Sequence, residues 1–448
     1  MSFIRTFALV ASTAIGVTAC GPGGASADGS SLASAHGAAT ALGVSNSVKE
    51  AAALPPGVTL QDIDGGTSYY AKWTNAFPSG ANFYPIGVFP SEATPSSLAA
   101  IGINFFAPTR DDNAGVWAPV WNNPNGNDMT GVYAQPGFYA GGAFYTQSGS
   151  TPWGPRAAFD VFGDELDGNG TQFFEQVPTS ISSNNQKNEW GGLTAAAFLG
   201  ALKASRAADP TRPIYLQVTT SLMDGGINDH YSLADKQAIC ASTDIFSFDI
   251  YPLVFRGGSV FDMADQVKEA RGYCRNAKAV FPFVEMDHMD GGSIDQIPIY
   301  PMPAQTVAEV WNAVIAGARG VQYFDQFGNI DEPAYDGNGH YAPGAMYNAI
   351  KTVNGQLTEL APVLNAPFAN GYVTTTGNMS VMAKYGNGHF TIFAIPHHAG
   401  AQTITFSVAG APDTTATVLY ENRSVSIKGG QFNDTFADEN TVHIYQVN

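Results

Sequence analysis

AVFPFVEMD at 279–287, QTVAEVWNAVIAGARG at 305–320 and VQYFDQF at 321–327 read as strand, helix, strand. The first run is apolar without polar alternation, the pattern of a strand buried on both faces. The second carries apolar residues at helical spacing, which marks Trp311 as core. The third is a short strand rich in aromatics. A strand joined to a parallel neighbour through a helix is a βα unit. The first strand also breaks straight into acid, at Glu285 and Asp287.

The same rhythm extends in both directions. Upstream, YPIGVFP (84–90) and INFFAPT (103–109) flank a short helix, SEATPSSLAAIG (91–102), opened by a Ser cap. GVYAQPGFYAGG (131–142) is expected as the third strand and FDVFGDELD (159–167) carries the fourth. The helix 192–209, the strands in 211–220 and 244–253, and the helices 259–274 and 344–365 continue the series. The strand candidates predict a (β/α)8 TIM barrel over 54–365. An open doubly wound sheet would carry a Gly-rich phosphate loop after its first strand, and none is present. Past residue 366 apolar and polar residues alternate between Gly/Asn turns, so 366–448 is expected as a small antiparallel β-sandwich covering the barrel's flank.

The chain has 448 residues, long enough for a large domain and a smaller one. Its formal charge of −18 argues against nucleic acid and against anionic membrane surfaces as partners. With only 20 Lys+Arg, an anionic polymer is a substrate only if the cleft is locally basic. At the N-terminus, Arg5 and the apolar run 7–17 read as a signal peptide over 1–20. It ends in Val17-Thr18-Ala19-Cys20, which resembles the bacterial lipobox and implies lipidation of Cys20. Residues 21–53 are Gly/Ala/Ser-rich, a flexible linker. Export to the periplasm or cell surface permits Cys240 and Cys274 to pair as a disulfide. No Cys/His spacing suggests zinc, and Asp111-Asp112-Asn113 lacks the spacing of a calcium loop, so neither metal nor cofactor is expected.

Side chains just past the ends of parallel barrel strands point into the active-site mouth. Glu165 and Glu285 hold such positions. A glycosidic bond needs a proton on the departing oxygen and a nucleophile or base behind the anomeric carbon, which a pair of carboxyls supplies. Within DELD, Asp164 and Asp167 compete with Glu165 for the inward position, or cap the next helix. Asp249, His230, Asp287 and Asp325 are candidate subsite ligands that could equally pack or lie on the surface. Trp117, Trp121 and Trp153 fall in loops on the same expected face, where a flat ring can stack on a sugar or simply anchor the loop.

Residues 84–327 resemble the retaining glycoside hydrolases of clan A. FGDELD matches in pattern their acid/base segment after the fourth strand, and PFVEMD their nucleophile segment after the seventh. The resemblance implies Glu165 as acid/base, Glu285 as nucleophile, double displacement, and Tyr251 steadying Glu285 from after the sixth strand. It departs from the family at Asp164, where many members carry Asn for the sugar 2-hydroxyl. The expected protein is therefore a lipid-anchored glycoside hydrolase of a poly- or oligosaccharide. A transglycosylase using the same carboxylates, a non-catalytic glycan-binding lipoprotein and a non-glycosidic barrel hydrolase are the alternatives.

Overall fold

The computed structural model describes residues 54–88, 95–106, 138–140, 143–145, 159–161, 165–168, 192–208, 210–223, 230–254, 256–286, 293–294, 297–298, 301–325 and 344–447. The signal and linker segments 1–53 lie outside them, as do Asp111–Asn113, Trp117, Trp121, Trp153, Asp164 and Asp287.

Seven parallel strands form one sheet, in the order Phe105–Phe106, Ile86–Val88, Val321–Phe324, Ala279–Glu285, Ile245–Phe248, Ile214–Val218, Asp160–Val161. Neighbours in this order are paired in parallel throughout. Helices Ala195–Ala208, Leu233–Ser242, Asp262–Tyr273, Pro303–Ile315 and Ala345–Glu359 separate or follow the later strands. Local chemistry sets their ends. Ser232 and Asp235 form a reciprocal capping box, each side chain bonding the other's backbone N–H. Pro303 occupies the first turn of its helix, where a missing N–H costs nothing.

Two clusters hold the sheet. On one face, aromatic rings from successive strands interlock: Phe159 stacks on Tyr215 with centroids 5.1 Å apart, and Phe105 meets Phe281 at 5.8 Å. Gly87 admits the Phe105 ring, since a Cβ there would lie 2.2 Å from it. On the other face Val280, Val284 and Tyr323 pack towards the helices, and the Tyr323 hydroxyl donates to Asn354 Oδ1 at 2.7 Å. The alternation of a strand's side chains thus separates an aromatic interior from a helix-facing layer. Trp311 is fully buried, as its spacing predicts, and stacks on Phe393 of the C-terminal region at 6.0 Å.

Three expectations are corrected. The segment 131–142 does not supply a third parallel strand in its described part: Phe138–Ala140 pairs antiparallel with Ala143–Tyr145 as a hairpin. Among the described residues the parallel sheet is consequently open between Phe105–Phe106 and Asp160–Val161. The single helix expected over 344–365 is two, Ala345–Glu359 and Ala361–Leu364, because Pro362 cannot donate into a continuing helix. Residues 59–61 belong to the C-terminal sheet, Thr59–Gln61 pairing antiparallel with Phe368–Asn370.

The C-terminal region contains two antiparallel sheets. One has seven strands, in the order Thr59–Gln61, Phe368–Asn370, Met379–Gly386, His389–Pro396, His443–Val447, Thr414–Val418, Arg423–Ile427. The other has three, Val373–Thr375, Gln402–Val408 and Gln431–Phe436. Ile404, Phe406 and Val408 are the buried alternate residues of Gln402–Val408. Phe406 and Phe432 of the smaller sheet lie 5.3 and 5.0 Å from the Tyr445 ring of the larger. The disulfide between Cys240 and Cys274, with Cα atoms 5.3 Å apart, links helix Leu233–Ser242 to the end of Asp262–Tyr273.

Candidate active site

The carboxyl ends of four adjacent-to-near strands each lead into acid. Glu165 follows Asp160–Val161, Asp249 follows Ile245–Phe248, Glu285 ends Ala279–Glu285, and Asp325 follows Val321–Phe324. In parallel sheets this is the edge where ligands bind.

Below that edge, the interior face turns from aromatic to polar. The Tyr215 hydroxyl lies 2.8 Å from both Ser247 Oγ and Gln322 Oε1. One turn of the pleat higher on the same strand, Gln217 Oε1 accepts the backbone N–H of Glu165 at 2.6 Å. This bond helps hold Glu165 at φ 50°, a left-handed conformation that costs a residue with a Cβ about 1–2 kcal/mol. The amide nitrogens of Gln217 and Gln322 are buried and have no hydrogen-bond partner among the described residues.

Asp167 is a structural residue. It is fully buried and its carboxylate takes the N–H groups of Thr219 (3.0 Å) and Leu222 (2.9 Å) and the Thr219 hydroxyl (3.3 Å). Burial pushes it up to about 7, aided by the nearby Glu165 charge and opposed by the amide donors. Of the DELD acids in the described residues, Glu165 alone keeps a partly exposed side chain.

Glu285 is also fully buried. Its Oε2 accepts Leu253 N–H at 2.9 Å and its Oε1 accepts Val254 N–H at 2.7 Å, so it fastens the loop after Ile245–Phe248. Helix Pro303–Ile315 grips its main chain: Glu309 Oε2 accepts Glu285 N–H at 3.0 Å, and Thr306 Oγ1 donates to Glu285 O at 2.8 Å. Burial raises the Glu285 carboxyl, while a hydrogen bond with Glu309 and the two amides pull it back. Glu309 is raised well above the usual range, by burial first and then by the Glu285 charge. Of the two, Glu309 is pushed further towards its protonated form, since it is buried beside the Glu285 charge.

The remaining expected residues are placed as follows. The Tyr251 ring packs 5.5 Å from that of Phe324, the residue paired in register with Glu285. Asp249 is buried and its N–H donates to Val218 O at 3.1 Å, at the same strand edge. Asp325 is buried one residue beyond its strand. His230 is half-buried just before helix Leu233–Ser242. Among the described residues no group of three or more His, Cys, Asp or Glu is placed to hold a metal, and no helix is long and apolar enough to cross a membrane.

No protein-family model matches the chain, and no curated protein matches it. The solved structures it is similar to are glycoside hydrolases. One is a GH30 endoxylanase from Clostridium papyrosolvens C71, 14% identical over 88% of this chain and 98% of that one, with a TM-score of 0.44. Another is a GH27 β-L-arabinopyranosidase from Geobacillus stearothermophilus in complex with arabinose, 8% identical over 85% and 99%, with a TM-score of 0.45. A third is an α-amylase from Geobacillus thermoleovorans complexed with acarbose, 10% identical over 79% and 90%, with a TM-score of 0.32.

Glu309, Gln217 and Gln322 escaped sequence reasoning. Each lies in a largely apolar stretch: Glu309 in AEVWN on its helix, Gln217 and Gln322 in IYLQV and VQYF on their strands. That setting was the available signal, because a polar side chain is buried only when it is bonded or used.

Proposed function

We propose that the chain is a glycoside hydrolase acting by double displacement, with Glu165 as acid/base and Glu285 as nucleophile. One observation carries the reading: both glutamates stand at the carboxyl edge of a single parallel sheet, with Asp249, Tyr251 and Asp325 around them. Burial raises the Glu285 carboxyl, and the Leu253 and Val254 amides oppose that rise, favouring the ionised form that a nucleophile needs. A carboxylate oxygen has two acceptor directions, so one amide on each leaves the second for attack. Glu165, partly exposed and near the buried Asp167, is the group able to exchange a proton with a leaving oxygen.

The proposal includes a closed (β/α)8 barrel, whose third strand would come from residues outside those described, and a β-sandwich formed by the two C-terminal sheets. It also includes export and anchoring through a lipid on Cys20, which radiolabelled palmitate incorporation, lost in Cys20→Ser, would test. Sugar in place of water at the second step would make the same site a transglycosylase.

A second reading, a non-catalytic glycan-binding protein, is favoured by the full burial of Glu285 and the amide on each of its oxygens. Reducing-end release from a glycan panel separates the two. Catalysis requires activity in the wild type and loss of at least about 100-fold in Glu285→Gln. Binding without any new reducing end supports the second reading.

A further inference from the structure

Lys72, Trp73, Lys203 and Arg206 meet in a groove of about 460 Å3 at the opposite, amino-terminal edge of the parallel sheet. Asp244, which precedes strand Ile245–Phe248, and Ser242 complete its polar lining. Leu199 and Leu202 of helix Ala195–Ala208 give it an apolar wall opposite the tryptophan.

The charges in this groove do not balance. Asp244 is its one carboxylate, and Asp244 is fully engaged: Oδ2 takes Ile214 N–H at 2.8 Å and the Arg206 guanidinium, and Oδ1 lies 3.6 Å from Lys278 Nζ. Lys72 forms no ion pair among the described residues; its Nζ sits 4.2 Å from the Tyr69 ring centroid and 5.9 Å from that of Trp73. Lys203 is exposed and forms no ion pair among the described residues. The Lys278 ammonium beside the groove is held below its usual range by burial and then, against the pull of Asp244, by the charges of Arg206 and Lys72. Among the described residues four cations therefore crowd around one anion, in a chain with 20 Lys+Arg against 38 Asp+Glu. Such a concentration in a strongly acidic protein leaves a local positive potential where the rest of the surface repels anions.

We propose that this groove is a second, non-catalytic binding site for a carboxylate-bearing oligosaccharide. The Trp73 ring offers a flat face to sugar C–H bonds, and Lys72 and Lys203 offer charge to uronate carboxylates. The acids at the carboxyl edge of the sheet would repel the same ligand, so the groove and the candidate active site select different parts of a glycan. The inference stands whether or not Glu165 and Glu285 are catalytic.

Isothermal titration of the full-length protein with tri-galacturonate tests it, alongside neutral cellotriose and inorganic phosphate as separate probes. Expected are saturable one-site binding of tri-galacturonate at about 20 mM salt, at least ~10-fold weaker binding at about 0.5 M salt, and much weaker binding of cellotriose. Lys72→Glu/Lys203→Glu should abolish binding, Lys203→Arg should retain it, and Glu285→Gln should leave it unchanged. Both lysines are exposed, so the charge reversals are expected to keep the wild-type melting curve. No tri-galacturonate binding by the wild type overturns the proposal, as does undiminished binding by the double charge reversal. Phosphate binding as tightly as tri-galacturonate also overturns it, since the groove would then be a bare anion site.

Discussion

Glu309 reaches from its helix to the main chain of Glu285, its Oε2 accepting the Glu285 N–H at 3.0 Å. Both residues are fully buried, and the Glu309 carboxyl is raised well above its usual range by burial first and then by the Glu285 charge. One proton on this pair, held by Glu309, is the cheapest way to keep a single negative charge at the strand end. Glu309 is thus a positioning residue: it orients Glu285 from behind and fixes its charge state.

Glu309→Gln is expected to fold, because an amide oxygen can accept the same N–H and the amide nitrogen can replace the shared proton. Glu309→Ala leaves the buried Glu285 N–H unpaired and should cost about 1–3 kcal/mol. In the wild type the raised Glu309 carboxyl binds its proton more tightly folded than unfolded. Its contribution is present below the unfolded value and is lost as pH rises through the folded one. Melting temperature should therefore fall less between about pH 5 and 9 in Glu309→Gln than in the wild type. Parallel pH curves for the two proteins would sink the shared-proton account.

Asp167 makes the same argument with a stated value. Its folded value of about 7 stands above an unfolded one of about 3.9. Stability from this group is complete below about pH 4 and declines as pH rises towards 7, by roughly 4 kcal/mol in all. Asp167→Asn cannot titrate, so its unfolding free energy should lose much of that slope while dropping at low pH through a lost acceptor for Thr219 or Leu222. Urea denaturation at pH 4.5 and 7.5 reads both effects, and an unchanged slope would count against a titrating Asp167.

How far the sequence could be read follows from which interactions are local. The strands Ile214–Val218, Ile245–Phe248 and Ala279–Glu285 fall inside the segments expected for them because strands buried on both faces need unbroken apolar runs. The pairing of Thr59–Gln61 with Phe368–Asn370 left no such mark, since three exposed residues acquire their partner only in the folded chain. The antiparallel pairing of Phe138–Ala140 with Ala143–Tyr145 is not legible in the sequence, because aromatic residues suit either kind of strand. At the site, the strand-end acids were visible as breaks in apolar runs. The roles within DELD were not, because tertiary donors on the 219–222 segment decide that Asp167 is a fastener.

The disulfide between Cys240 and Cys274 closes a sequence separation of 34 residues. A loop of that length is worth about 2–4 kcal/mol through the unfolded state. Cys240→Ser/Cys274→Ser should lower stability by about that amount, and dithiothreitol should reproduce the loss only in the wild type. Equal melting of the wild type with and without reductant, once free thiols are shown to be present, would contradict this. Activity at the strand ends should change little, because the bridge ties two helices outside the sheet.

Gly87 tests the packing beneath the candidate site most directly. A Cβ on this residue would lie 2.2–2.5 Å from three atoms of the Phe105 ring, and that ring is fully buried against Phe77 and Phe281. The ring has no free direction in which to retreat, so Gly87→Ala overpacks the interior at a cost of about 1–3 kcal/mol. Adding Phe105→Leu makes room for the methyl, and the double variant should recover part of that loss. If Gly87→Ala alone melts like the wild type in a thermal scan, the aromatic interior is not packed as described. If it is destabilised but Phe105→Leu rescues nothing, the clash lies elsewhere than at the Phe105 ring.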